Sequence, residues 1–170
     1  MSERDGMSMP DILHDFPIAA PPQDVFRAVS TGEGLAQWWT ERSVGSPRTG
    51  AEYELWFGPE YDWRGRVTQC DPSQSFELEL VRADRDWAGT RVGFRLTATN
   101  EGGGTQVRFH HLGWPELNEH YRISCYCWAM YLRVLKRYLE HGESVPYAKR
   151  LDVLMPFSDS TLLRPNGSRR

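Results

Sequence analysis

The chain has 170 residues, of which 39% are hydrophobic and 25% charged. That fits one domain of ~150 residues around a single core and excludes disordered, collagenous and membrane-spanning classes. A net charge of −3 and a pI near 6.0 give a field that repels a phosphate backbone, so nucleic acid is not an expected partner.

Residues 1–10 include Glu3 and Asp5 and lack the basic start and apolar run of a secretory signal. No stretch reaches the ~18 apolar residues of a membrane span, so a cytoplasmic location without a membrane partner is expected. These first residues are expected to form a flexible N-terminus, with the domain proper over 11–147. Ile12 to Ile18 reads as the first strand, its alternation interrupted at His14 and Asp15. Pro21 and Pro22 suit a helix start, where a missing N–H costs nothing, and predict a short helix over Gln23 to Val29. Ser30-Thr31-Gly32-Glu33 matches a capping box and opens a second short helix through Leu35, Trp38 and Trp39.

From Ser43 to Leu112 the period changes to two, broken by turn signals at Pro47 to Gly50, Gly58-Pro59, Asp71 to Ser73, Trp87 to Gly89 and Asn100 to Gly104. This predicts a meander of antiparallel strands. One face carries Tyr53, Leu55, Phe57, Tyr61, Trp63, Val67, Phe76, Leu78, Leu80, Val92, Phe94, Leu96, Val107, Phe109 and His111. The other carries charged residues such as Glu52, Glu77, Arg91 and Arg108, with His110 turned outward, as expected where one face meets water.

Pro115 and Glu116 begin a run to about His141 without internal proline or glycine, ended by Gly142, which predicts the longest helix. Tyr121, Cys125, Trp128, Leu132, Leu135 and Leu139 form an apolar stripe, widened by Ile123, Cys127, Met130 and Val134. So wide a stripe suits a helix lying in the concavity of a sheet. After Tyr147 the composition turns to Ser, Pro, Asn and Arg, so 148–170 reads as a partly disordered tail. The apolar residues Leu151, Val153, Leu154, Met155 and Phe157 are the exception, expected to dock on the domain or on a second copy in a homodimer.

Cys70, Cys125 and Cys127 are the only cysteines. The last two stand two positions apart on the long helix and point to nearly opposite sides, so they cannot bridge each other. All three are read as reduced, mostly buried thiols.

The order of strand, two short helices, six-stranded meander and long C-terminal helix resembles the START-like or SRPBCC superfamily. Pro22-Gln23-Asp24-Val25-Phe26-Arg27-Ala28 followed by Leu35-Ala36-Gln37-Trp38-Trp39 is similar to the opening of the heat-shock ATPase activator homologue family. Gly65-Arg66-Val67 with Asp71-Pro72, Gly104-Thr105-Gln106-Val107 and His111-Leu112-Gly113-Trp114 resemble its middle, and Trp128 to Leu139 its end. The glycine usual before that tryptophan is Cys127 here. The resemblance covers residues 12–147. It implies an α+β helix-grip fold, a curved antiparallel sheet with two short helices wrapped around the long C-terminal helix, and a pocket between sheet and helix. It implies no shared catalytic residues.

Seven Trp, seven Tyr and seven Phe make aromatic surface the dominant unusual feature. Aromatic-lined concavities are the usual form of small-molecule sites. A site for a small, largely apolar molecule is expected around Trp39, Tyr53, Phe57, Trp63, Phe76, Phe94, Phe109, His111, Tyr121, Cys125 and Trp128. The bland alternative is that these rings pack on one another as a solid core. His111 reads either as a ligand-orienting or acid–base group, or as a core histidine with its nitrogens satisfied. His110 and His120 do not combine with any Cys or His at tetrahedral zinc spacing, so neither metal nor cofactor is expected. No glycine-rich phosphate loop and no Gly-x-Ser-x-Gly motif occurs, and no catalytic set is assigned. Two further functions remain open: a cyclase or aromatase using His111 with Tyr53 or Tyr121 as proton donors, and a chaperone-interacting module.

Overall fold

In the computed structural model, which describes residues 9–100 and 102–152, the strands are β1 (Ile12–Ile18), β2 (Arg42–Val44), β3 (Glu52–Trp56), β4 (Asp62–Asp71), β5 (Ser75–Arg82), β6 (Arg91–Ala98) and β7 (Thr105–Leu112). The helices are α1 (Pro22–Ser30), α2 (Gly32–Trp38) and α3 (Glu119–His141), followed by a short 3-10 helix over Tyr147–Asp152. All seven strands form one antiparallel sheet in the order β1-β7-β6-β5-β4-β3-β2. The meander β2 to β7 therefore pairs neighbour with neighbour, while the first strand crosses to the last, Ile12 facing His111 and Ile18 facing Thr105. Register shifts between Arg64 and Gly65 and between Val67 and Gln69 mark irregularities in β4 against β5, the kind of feature that bends a sheet. The result is the α+β helix-grip arrangement, with a curved sheet and α3 as its long C-terminal helix.

Local chemistry accounts for the helix ends. Pro22 occupies the first turn of α1. The Thr31 hydroxyl accepts from the Gly34 N–H at 2.9 Å and caps α2, one residue later than the expected capping box. The Ser30 hydroxyl instead donates back to the Phe26 carbonyl, closing α1. Asn118 caps α3 through the Tyr121 N–H. Gly142, with φ of 66°, ends it in the left-handed conformation that glycine adopts without a Cβ clash.

The apolar core runs from Val25, Val29 and Leu35 on the short helices through Leu55, Val67, Leu78, Leu80 and Val107 on the sheet to Leu132, Val134 and Leu135 on α3. Two residues assigned to the inner surfaces lie outside. Tyr61 precedes β4 and is 43% exposed, and Ile123 on α3 is 52% exposed. The polar face of the sheet departs from expectation in the other direction. Glu77 is on that face but only 7% exposed, because Gly93, on the strand between, lets the His110 ring lie across it. A Cβ at Gly93 would stand 2.4 Å from His110 Nε2, and His110 Nε2 lies 2.7 Å from Glu77 Oε2.

The 3-10 helix begins at the expected domain boundary, and Arg150 within it is 4% exposed. Residues 1–8 and the apolar positions Val153 to Phe157 lie outside the described residues.

Candidate functional site

Trp128, on the inward stripe of α3, packs over the concave face and meets rings from every layer. Its ring centre lies 4.5 Å from Phe109 on β7, 5.2 Å from Trp39 after α2 and 5.5 Å from Trp87 before β6. Trp38 joins from α2, in edge contact with Phe94 at 5.8 Å. Phe94 meets Phe109 at 5.3 Å. Over the middle of the concavity these rings touch one another directly, as a packed core does.

His111 lies inside this cluster, fully buried, and both of its nitrogens have partners. The Trp128 indole N–H donates to Nδ1 at 3.0 Å. Nδ1 therefore carries no proton, and Nε2–H donates to the Thr90 hydroxyl 2.7 Å away. That hydroxyl donates onward to the Trp87 carbonyl at 2.6 Å, and the Trp87 indole donates to Ser124 on α3. Burial, with smaller contributions from His110 and His120, holds His111 down to about 3. The imidazole is neutral and joins β7, the β5–β6 connection and α3 in one satisfied chain.

The space between sheet and helix opens toward one end, where a cleft of about 340 Å³ is lined by Trp39, Phe57, Tyr61, Trp63, Asp84, Trp87, Cys127, Tyr131, Tyr147 and Leu151. Of the eleven residues expected around the pocket, Trp39, Phe57 and Trp63 line this cleft. Phe94, Phe109, His111 and Trp128 belong to the packed cluster beside it. Tyr53 and Phe76 pack together at 5.9 Å on the far side, with Tyr53 donating to the Ser30 carbonyl and Phe76 edge-on to Phe26. Tyr121 donates to the Asp11 carbonyl at 2.7 Å, and Cys125 Sγ sits 3.9 Å from His14 Nε2 on β1. Those two face the first strand, whereas Cys127, two positions further on, turns to the cleft, as helix geometry requires.

Seven lining residues, Tyr61, Asp84, Trp87, Cys127, Tyr131, Tyr147 and Leu151, escaped the sequence reading as site residues. Trp87 was counted among the residues of a turn, yet it is only 9% exposed. Cys127 and Tyr131 stand four apart on α3, the spacing that places two side chains on one helix face. Tyr147 lay at the presumed domain boundary. The turn carrying it is fastened by Arg150, whose Nη1, Nη2 and Nε donate to the carbonyls of Thr40, Ala36 and Val145 at 2.9, 2.7 and 3.0 Å. Ala36 lies in the last turn of α2 and Thr40 just beyond it, so one side chain holds the outer wall of the cleft to the rest of the domain.

Elsewhere, the Glu77 carboxylate accepts from His110 and Thr68 and lies 3.5 Å from Arg91. These partners, His110 first, hold it below the usual carboxylate range against the opposing effect of burial. Asp86 is paired with His120 at 2.9 Å near the start of α3 and is likewise held low. Burial pushes the thiols of Cys70 and Cys127 up, which keeps them protonated and poorly nucleophilic at neutral pH. Among the described residues no three of His, Cys, Asp and Glu converge on a point where a metal would sit. No helix among them is long and apolar enough to cross a membrane.

The order of elements, the capped helices and the ring-lined space between sheet and C-terminal helix define a helix-grip protein of the SRPBCC type. A family profile described as Activator of Hsp90 ATPase homolog 1-like protein matches residues 19–140, and the chain belongs to that family. Among solved structures, the Aha1 dimer from Colwellia psychrerythraea superposes with a TM-score of 0.71 at 28% identity, over 80% of this chain and 100% of that one. A Bacillus halodurans protein gives 0.65 at 25% identity, over 78% and 99%. CalU16 from Micromonospora echinospora gives 0.60 at 20% identity, over 84% and 83%, a likeness of fold. No curated protein matches the chain.

Proposed function

We propose that this protein binds a small, largely apolar, ring-bearing molecule in the cleft beside Trp128. The supporting observation is the cleft itself: about 340 Å³ walled by Trp39, Phe57, Trp63 and Trp87, at the lower end of the ~300–1,000 Å³ of small-molecule sites. Its mouth is bounded by Cys127 and Tyr131 from α3 and by Tyr147 from the terminal turn, so helix, sheet and turn each contribute a wall.

Native mass spectrometry of the purified chain, together with quenching of tryptophan emission by a naphthalene titration, tests this. Three tryptophans line the cleft, so an occupant changes their emission. Cys127→Trp places a bulky ring in the cleft at a residue that makes none of the His111 hydrogen bonds, and is expected to abolish the quenching while the protein stays folded. Quenching of equal strength in that variant would remove the cleft as the binding site.

The cyclase or aromatase alternative finds its proposed proton donors already engaged. The Tyr53 hydroxyl is spent on Ser30, that of Tyr121 on Asp11, and His111 is neutral with both nitrogens occupied. The chaperone-interacting alternative rests on family membership alone.

Self-association belongs to this reading as well. The relative from Colwellia psychrerythraea is described as a dimer, and Leu151, the first of the apolar tail residues, is 50% exposed. Sedimentation of the full chain as a monomer at high concentration would count against a homodimer.

A further inference from the structure

The cleft lies where the chain runs on past its last described residue. Trp39, Phe57, Trp63 and Trp87 line it, and Leu151, which is 50% exposed, borders it as well. Open apolar surface of this kind marks a place where something docks. Asp152 follows Leu151 directly, and residues 153–170 come after it. They begin with the apolar run Val153-Leu154-Met155-Pro156-Phe157, before the polar Ser158-Asp159-Ser160-Thr161.

The point from which that run departs is fixed. Arg150, 4% exposed, donates to the carbonyls of Ala36, Thr40 and Val145, so Leu151 is held at the cleft by a buried clamp one residue away. A chain advances at most ~3.6 Å per residue, which puts the Cα of Val153 within ~7 Å of that of Leu151 and limits the five apolar residues to a span of ~18 Å. The run therefore starts beside the cleft whatever path it takes. A tether this short gives it a local concentration on the order of millimolar. A second copy offering the same run from solution has to match that concentration to compete, which favours the chain's own segment as the occupant.

We propose that residues 153–157 fold back over the cleft and cover it, with Leu154, Met155 and Phe157 against the rings of its wall. Pro156 has no N–H to leave unpaired and keeps Met155 extended, so the segment lies there as a ribbon that needs no strand partner. Met155 is unbranched and adapts to an irregular gap. The stabilisation from burying these side chains is opposed by the entropy of ordering the segment, an effect of similar size. The cover is therefore reversible, and a small apolar molecule that binds the open cleft shifts the population away from it. That displacement rests on the small-molecule reading above, whereas the cover itself does not.

Cys127 lines the cleft and reports on the cover. In the full chain its alkylation by iodoacetamide is compared with that of Cys70, which lies on β4 with its thiol on the Pro47 carbonyl. Leu154→Asp combined with Phe157→Asp is expected to raise the ratio of Cys127 to Cys70 alkylation about fivefold, as a mostly closed cleft becomes mostly open. An unchanged ratio would overturn the cover. Oxidation of Met155→Cys at low protein concentration shows whose segment it is. A disulfide to Cys127 within one chain is expected, formed about tenfold faster than in Ser160→Cys, because a seated segment presents one position where a loose tether presents many. Equal rates for the two positions would leave a tether without a seat and overturn the cover, and a link between two chains would assign the segment to a partner copy and overturn its placement here. Naphthalene is expected to slow the disulfide to Cys127. Preferential disulfide formation with no slowing and no quenching by naphthalene would support the cover while removing the small-molecule reading.

Discussion

Two regions of the concavity are built from the same kinds of residue and end in opposite states. Around Trp128 the rings meet centre to centre at 4.5 to 5.5 Å, and the polar atoms of His111, Thr90 and Trp87 are joined in one chain of hydrogen bonds. Around Tyr131 the rings of the wall also touch, Phe57 meeting Trp63 at 4.9 Å and Trp63 meeting Trp87 at 5.1 Å, but about 340 Å³ is left open in front of them. The difference lies in what α3 sends into the gap at each level. Trp128 spans it with an indole, whereas the neighbouring inward position is Cys127, a small side chain. Aromatic content by itself therefore does not make a pocket; the volume opposite the rings decides whether they close on one another.

The largest expected effect comes from breaking the closed region. Trp128→Ala removes a side chain that is 1% exposed and deprives His111 of its donor, and a loss of about 3–5 kcal/mol in chemical unfolding is expected, as for a large buried ring. A loss under about 1 kcal/mol would show that the cluster can collapse around the gap.

Next in size is the pH response of the same region. Unfolded, His111 takes up a proton below about 6.5, but in the native chain burial delays this to about 3. Its contribution is thus fully present above pH 6.5 and shrinks by roughly 1.4 kcal/mol per pH unit as the pH falls through that window. Unfolding curves at a series of pH values check this. His111→Gln is expected to lower stability at pH 7 and to flatten the slope between pH 6 and 4.5. A slope equal to that of the unaltered protein would assign the acid sensitivity to other groups.

The smallest effect on stability is expected in the open region. Trp63 is partly exposed and borders the cleft, so Trp63→Leu, which keeps an apolar side chain, should cost about 1 kcal/mol or less while weakening naphthalene binding severalfold. If stability fell as far as in Trp128→Ala, the two regions would be one continuous core and the contrast between them would fail.

Much of the fold was legible in the residues, because strands and helices announce themselves through periods that depend only on backbone geometry. The alternation from Ser43 to Leu112 became the meander, the stripe on Cys125, Trp128, Leu132 and Leu135 became the long helix, and Gly142 ended it. The Ser30 capping box was displaced to Thr31, since two adjacent hydroxyls can each fill such a role and only the path of the backbone selects one. Glu77 sits on the polar face where alternation put it, yet it is buried there, because the absence of a side chain on the adjacent strand at Gly93 admits the His110 ring.

The site was legible only in its chemistry. Composition and patterning established that this chain would have a ring-rich interior between a sheet and a helix, since apolar periodicity places those residues on inward faces whatever their partners. Which rings touch, which leave a space, and that Trp87, Tyr131, Tyr147 and Arg150 converge on its wall were decided by the tertiary structure. The reason is physical: inward direction is a property of one element, whereas unfilled volume is a property of several elements meeting, and it depends on side-chain sizes at positions far apart in the chain.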